Sequence, residues 1–428
     1  MKRFVITFMI STSVSIAASL SIDEAVQMAL VSYPDAQIAS LNHQRAQAES
    51  RVQRADLYPK VILNGEYYPT KTFVMPVNGQ FSTKQNDAIH ADMTASYSIL
   101  DFGRTQNRIA AAGYALDQAH SLKQLTQSEL IEQVWFRYYG VAYAASLIDA
   151  AQSSVTFYES AYQQAQHMRL SGLKTEADEL RFKASLMEAG ERLAQAQSEY
   201  DKASLSLGVL IGENGLARVE KNVLDRKLDD LSAHKESLES LRQKLSENNP
   251  RLKTLHTAIA QNQALSKAAE NERYGEIQLR AGAGYDNTLS SYDTYQAGIV
   301  GSIPLYDGGK LSAEAQKSRI AHSLAQQEFD KAERELWEDL YRTYRDLIHS
   351  EETIRTKIGV IEATTKTLAL IHERYRQGLA TQTDVLESQS TLETARFALI
   401  GAKYQKIQFY AHMQKLLDQG CDNDVCLQ

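Results

Sequence analysis

The sequence predicts a mainly helical chain with a small β part, built as two copies of one repeat. Three observations carry this. The six prolines lie at 34, 59, 69, 76, 250 and 304, leaving 77–249 and 305–428 proline-free and rich in Ala, Gln, Glu, Leu and Lys. Such tracts suit long helices, because proline removes a donor and breaks a helix interior. Four stretches of about ten residues alternate apolar and polar side chains, which is the period of a strand. Finally, residues recur at constant offsets, the mark of an internal duplication.

The chain has 428 residues, 43% of them hydrophobic and 23% charged, enough to bury a core. It carries 46 Lys plus Arg against 53 Asp plus Glu, a net charge of -7. That balance excludes a nucleic-acid binder, which needs a basic face against phosphate. At the start, Lys2 and Arg3 precede the apolar or small run Phe4 to Ile16, and Ser15-Ile16-Ala17 offers small residues for cleavage. Residues 1–17 therefore read as a signal peptide, the run being shorter than the ~20 residues that span a bilayer. No later segment is apolar enough for a membrane helix, and no Cys follows the apolar run to take a lipid anchor.

The first repeat is 18–215. Ser21-Ile22-Asp23-Glu24 is a capping box that opens a helix, and Pro34 interrupts the run that follows. Strands are expected at about 60–68 and 88–99, separated by the polar insert Lys71 to Asn86. In the second of these, Ile89, Ala91, Met93, Ala95, Tyr97 and Ile99 alternate with His90, Asp92, Thr94, Ser96 and Ser98. A long helix follows over 104–170, roughly 67 residues or ~100 Å at 1.5 Å per residue. Ile131, Trp135, Tyr138, Ala142 and Ala145 give it a coiled-coil seam. A tip turn at 171–174 leads into a further helix.

Residues 216–236 read as a linker or equatorial segment. The second repeat, 237–418, copies the first. Ser21, Pro34 and Tyr58 recur 216 positions on as Ser237, Pro250 and Tyr274. After the lost insert the offset becomes 206: Gly172, Leu173, Thr175, Asp178 and Leu180 match Gly378, Leu379, Thr381, Asp384 and Leu386. Strands are expected at about 276–285 and 294–303, a long helix at 310–376 with a seam at Ile354, Ile358, Ile361, Thr365 and Leu368, and a tip turn at 377–380. Residues 419–428 form a tail whose Cys421 and Cys426 are near enough in sequence to close a small loop in an oxidising compartment.

One apolar and one polar face over about ten residues is the pattern of a tilted membrane strand, with tyrosines near the strand ends as at an interface. A soluble two-layer sheet also alternates, although its strands are usually shorter. Inside lipid four strands cannot stand alone, since a membrane barrel needs at least about eight and leaves no open edge. Several chains must then share one barrel.

The export signal, duplication, paired strands and long helices together resemble the TolC family of outer-membrane channel proteins. The resemblance runs from Leu20 to about Asp418. Its most specific residues are the paired turns Met168-Arg169-Leu170-Ser171-Gly172-Leu173 and Tyr375-Arg376-Gln377-Gly378-Leu379, each followed by an acid, Asp178 or Asp384. The junctions Leu100-Asp101-Phe102-Gly103-Arg104 and Leu305-Tyr306-Asp307-Gly308-Gly309-Lys310 also match. The resemblance implies a homotrimer with a shared twelve-stranded barrel in outer-membrane lipid and a periplasmic α-barrel. It implies cargo passed on by an inner-membrane transporter through a periplasmic adaptor, in drug efflux or type I protein secretion. Adaptor docking would fall on Ser171, Gly172, Leu173, Gln377, Gly378 and Leu379. Asp384, Glu387, Tyr375 and Asp178 would line the periplasmic entrance constriction, the acids as rings.

Competing readings are weaker. A soluble coiled-coil adaptor has one helical hairpin, where this chain has two with strands inside each copy. An enzyme has no foothold: the histidines lack ligand spacing, no nucleophile motif occurs, and Gly308-Gly309-Lys310 lacks the phosphate-loop spacing. No catalytic residue, cofactor or metal is expected.

Overall fold

A computed structural model describes residues 20–213, 215–220, 222–231, 236–287 and 291–418. The signal segment and the Cys421/Cys426 pair lie outside the described residues. The chain divides into two compact units.

Among the described residues, the first unit comprises those within 20–37, 126–249 and 335–418. Helix α1 (Ile22–Ser32) opens on the capping box: Ser21 Oγ accepts from Glu24 N, and the Glu24 carboxylate accepts from Ser21 N at 2.9 Å. Tyr33 caps its end in extended conformation, as expected before a proline. Pro34 then starts α2 (Pro34–Ala55), where its missing N–H costs no bond. The same device recurs where α6 (Leu238–Asn248) meets α7 (Pro250–Asn271) through Asn249. The long helices α3 (Arg104–Leu170) and α8 (Lys310–Arg376) end in this unit and turn back as α4 (Glu176–Ile211) and α9 (Gln382–Leu417).

The core of this unit gathers Val134, Tyr138, Tyr139 and Val141 of α3, Leu207, Leu210 and Ile211 of α4, Ala25 and Ala29 of α1, and Ile407 of α9. It also takes in Leu224 and Leu228 of α5 (Val223–Leu231). The segment 216–236, read above as a linker, thus contains an amphipathic helix whose leucines join the core. Tyrosine is as much a filler of the bundle as of the strands: Tyr138 and Tyr139 are both buried, and Tyr138 Oη donates to Leu20 O at 2.9 Å. Burial pushes the Tyr138 phenol up to about 12. The first seam is buried at Ile131, Tyr138 and Ala142, whereas Ile358 of the second remains half exposed within the chain.

The second unit comprises 38–125 and 250–334. Its centre is one antiparallel sheet in the order β1-β2-β3-β4, with β1 (Lys60–Val77), β2 (Gln80–Leu100), β3 (Glu276–Asp286) and β4 (Tyr292–Ser302). The first hairpin corrects the sequence reading. Its strands do not stop at 68 and restart at 88; they run through the insert as a ribbon pairing Lys71 with Asn86 and Val77 with Gln80. The ribbon turns at Asn78 and Gly79, both with positive φ, the dipeptide that matches the twist of paired strands. A register shift between Tyr68 and Lys71 marks where it leaves the four-stranded part.

Register makes the two faces continuous. Leu63, Met93, Ala283 and Tyr295 form one cross-strand row, and Tyr97, Leu279 and Ile299 another. On the opposite face Asn64 pairs with Asp92, and His90 faces Asp286 at 3.2 Å. Ile62 is an apolar intrusion in that polar face. The outer edges of β1 and β4 pair with no other strand among the described residues.

Both junctions from sheet to long helix are built alike. Asp101 accepts from Gly103 N and Thr105 N at 3.1 and 2.7 Å, and Asp307 from Gly309 N and Leu311 N at 2.9 and 2.7 Å. Each carboxylate serves amides a helix start leaves unpaired. Arg104 Nη2 also meets Glu276 at 2.6 Å, fixing the start of α3 to the start of β3.

Candidate functional site

The two helical tips lie in the first unit and are copies in detail. After α3, Leu173 N donates to Met168 O and Gly172 N to Arg169 O, both at 2.9 Å. After α8, Leu379 N donates to Arg374 O at 2.8 Å and Gly378 N to Tyr375 O at 3.0 Å. This pairing closes a helix end when one residue adopts left-handed geometry, and Gly172 and Gly378 have φ 73° and 77°. The turns are laid bare: Leu173 and Leu379 are 70% and 65% exposed. Ser171, Gly172, Gln377 and Gly378 are exposed beside them, an apolar tip of the kind a partner covers.

The acids after each glycine also do local work at the helix starts. Asp178 and Asp384 are the third residues of capping boxes with Thr175 and Thr381. The Asp384 carboxylate accepts Thr381 N–H at 2.8 Å, and that of Asp178 accepts Thr175 N–H at 3.1 Å. These backbone bonds hold both carboxyls below the usual carboxylate range. Glu387 lies one turn beyond Asp384 and is exposed, and with Asp384, Arg374, Ile371 and Thr367 it lines a groove of about 390 Å³ between α8 and α9.

Tyr375 sits behind the tips. It packs with Ala161, Ala165, Phe182 and Val385, edge-on to Phe182 and beneath the Lys174 ammonium, which lies 4.7 Å from its centroid. Its hydroxyl is buried without a hydrogen-bond partner among the described residues. Burial, then the nearby Asp178 charge, raises its pKa. The two hairpins are tied here by Gln382 Nε2 donating to Asp178 O at 2.5 Å, and Arg169 pairs with Glu179. So Tyr375 and Asp178 share one neighbourhood, while Asp384 and Glu387 open onto the groove.

Sequence reasoning missed the polar ties that hold α9 to the first repeat. Arg192 of α4 reaches Glu393 at 3.3 Å, and Gln389 donates to the same carboxylate at 2.9 Å. Further along α9, His412 Nδ1 lies 2.6 Å from Glu132 of α3 and its Nε2 lies 3.0 Å from Asp339 of α8, with Lys415 at 2.9 Å from Glu132. Burial works to raise the Glu132 pKa, but the bonds from His412 and Lys415 outweigh it and hold it low. The bond to Glu132 in turn raises His412 above its ordinary 6.5, against the opposing effect of burial.

A raised histidine pKa stabilises the fold fully below the unfolded value, and that share is lost as pH climbs through the folded value. Wild type should therefore exceed His412→Gln most below pH 6.5 and converge with it as pH rises. Thermal unfolding of the purified protein at a series of pH values checks this. An equal gap at every pH would mean that His412 is neutral in the fold.

A sheet with one apolar and one polar face in one unit, and paired long helices that end in bare apolar tips in the other, define the class of membrane channel proteins. Known proteins agree. The model of the Outer membrane efflux protein family matches residues 25–213 and 241–419. The Toluene efflux pump outer membrane protein TtgC of Pseudomonas putida is 22% identical, over 94% of this chain and 83% of its own length. The Alkaline protease secretion protein AprF of Pseudomonas aeruginosa is also 22% identical, over 93% of this chain and 84% of its own. Among solved structures, the outer membrane protein VceC of Vibrio cholerae superposes with a TM-score of 0.82 at 16% identity, covering 93% of this chain and 96% of VceC.

This chain belongs to the outer membrane efflux protein family. It is an outer-membrane channel of the efflux and secretion class, with its helices in the periplasm, and is not a soluble scaffold.

Proposed function

We propose that three copies close one twelve-stranded barrel and a periplasmic helical tunnel, and that the homotrimer is a passive conduit that performs no chemistry on its cargo. The observation that carries this is the sheet. Its apolar face crosses all four strands in the rows Leu63–Met93–Ala283–Tyr295 and Val61–Ala95–Ala281–Ala297, while the outer edges of β1 and β4 pair with no other strand among the described residues. Each unpaired backbone group in hydrocarbon costs several kcal/mol, so further copies must supply the missing edges. Eight strands leave an interior filled by side chains; twelve leave room for passage.

Cargo enters at the tips, from an inner-membrane transporter through a periplasmic adaptor that docks on Ser171–Leu173 and Gln377–Leu379. The relatives' names include both a toluene efflux pump protein and a protease secretion protein, so the cargo class is small molecules or exported protein. Asp384 and Glu387, with Tyr375 and Asp178 behind them, form the entrance constriction, whose charge depends on what faces the acids in the assembly.

Single-channel recording in planar bilayers tests the conduit. The purified protein should give discrete, ohmic conductance steps. Bilayers that stay silent at protein levels where assembled protein is verified in the membrane would contradict it.

A further inference from the structure

The polar face of the sheet gathers its acids at one end, away from the helices. Glu66, His90 and Asp286 stand in one cross-strand row, and Asp92 stands in the next. His90 lies between two of the carboxylates, Nδ1 3.2 Å from Asp286 Oδ2 and Nε2 3.3 Å from Asp92 Oδ1. Asp92 is otherwise held by neutral donors, Thr94 Oγ1 at 2.9 Å and Asn64 Nδ2 at 3.2 Å. Gly284 leaves room for it, since a Cβ there would stand 3.2 Å from Asp92 Cβ. Among the described residues neither Glu66 nor Asp92 pairs with a Lys or Arg. Even with His90 counted as a full cation, three carboxylates leave this band negative.

The basic residues of the same face lie nearer the helices, where Lys60, Ser96 and Arg280 share a row. Lys60 is taken by Asp56 of α2 at 2.8 Å. Distance decides whether Arg280 cancels the acids. Rows on one face recur every second residue, about 7 Å along a strand, so neighbouring acid rows lie within the ~8 Å screening length of physiological salt. Arg280 is four and six residues from those rows, about 14–20 Å, and is screened from them. Burial shows which way the face points. Asp92, Thr94 and Asp286 are half-buried, whereas Met93, Ala281 and Ala283 of the apolar face are exposed. The polar face is thus the more sheltered one, as the inner side of a curving sheet is.

We infer that Glu66, Asp92 and Asp286 form an acidic band around the outer part of the barrel lumen and set ion selectivity there, independently of the acids at the helical tips. This rests on the shared barrel proposed above, in which each copy adds the same band to the ring. Carboxylates around a water-filled pore concentrate cations and repel anions. Cationic solutes are drawn through this part of the barrel, and anionic solutes meet repulsion. His90 acts as a positioning residue, holding Asp92 and Asp286 in adjacent rows rather than neutralising both.

Reversal potentials across a KCl gradient in planar bilayers test it, with Asp384 and Glu387 left native. Glu66→Gln, Asp92→Asn and Asp286→Asn combined should lower the K⁺ to Cl⁻ permeability ratio by about threefold or more in dilute salt. The difference should close as salt approaches ~1 M. A second arm needs no loss of hydrogen bonds during folding. Glu66→Cys, with Cys421 and Cys426 replaced by Ser, is assembled first and then modified at position 66. A cationic methanethiosulfonate should lower the ratio further, and an anionic one should restore it. Channels whose reversal potential ignores both the triple substitution and the sign of the reagent overturn the band and leave the conduit standing. Silent bilayers with verified assembled wild type overturn both.

Discussion

Replacing Gly275 by alanine is expected to keep the protein from assembling in the outer membrane. Gly275 joins the short turn Glu272–Tyr274 to β3, with φ 74° and ψ -155°. That region of backbone space belongs to glycine, and a side chain there costs about 1–3 kcal/mol by itself. A Cβ at Gly275 would also stand 2.0 Å from Ser302 O and 2.9 Å from Ile303 Cα, both backbone. Nothing flexible can yield, so the pairing of Glu276 with Ser302 must open. With it goes the tie from Arg104 to Glu276 that aligns α3 with the sheet. Outer-membrane fractions of Gly275→Ala should contain little or no heat-resistant oligomer. Gly301→Ala, where a Cβ meets nothing within 4 Å, should match wild type. Wild-type levels of Gly275→Ala would contradict the junction geometry.

Met93→Arg is the second large effect. Met93 sits in the row Leu63–Met93–Ala283–Tyr295, in the middle of the apolar face, and is 51% exposed in the single chain. A cation there meets hydrocarbon and costs about 2–4 kcal/mol near the midplane. Thr94, the next residue, points to the opposite face. Thr94→Arg should therefore insert nearly normally. Urea resistance of protein folded into lipid vesicles reads the difference. Equal tolerance of the two arginines would mean that the faces are not lipid and lumen.

The parts of this fold that were legible in the sequence are those with a period. Alternation at Ile89–Ile99 shows which residues share a face, and the 206 offset pairs the two tips. The ribbon from Lys71 to Asn86 was missed because its composition is polar, although Asn78-Gly79 is a hairpin dipeptide flanked by Phe73, Val74 and Met75. Helix α5 was missed because nine residues give barely two turns of pattern. At the site, the Gly172 and Gly378 turns could be read from spacing. The capping role of Asp384 could also have been read, since Thr381 precedes it by three residues just as Ser21 precedes Glu24. The His412 network could not: Glu132, Asp339 and His412 come from three helices far apart in sequence, and no local pattern brings them together.

On the proposed reading, a four-stranded sheet with two open edges is completed by other copies of the same chain in the outer membrane. Native mass spectrometry of protein extracted from outer membranes in mild detergent tests this most directly. The expected result is a single species of three chains that survives a high-salt wash of the membranes before extraction. A stable monomer in detergent, or protein released by the wash, would contradict it.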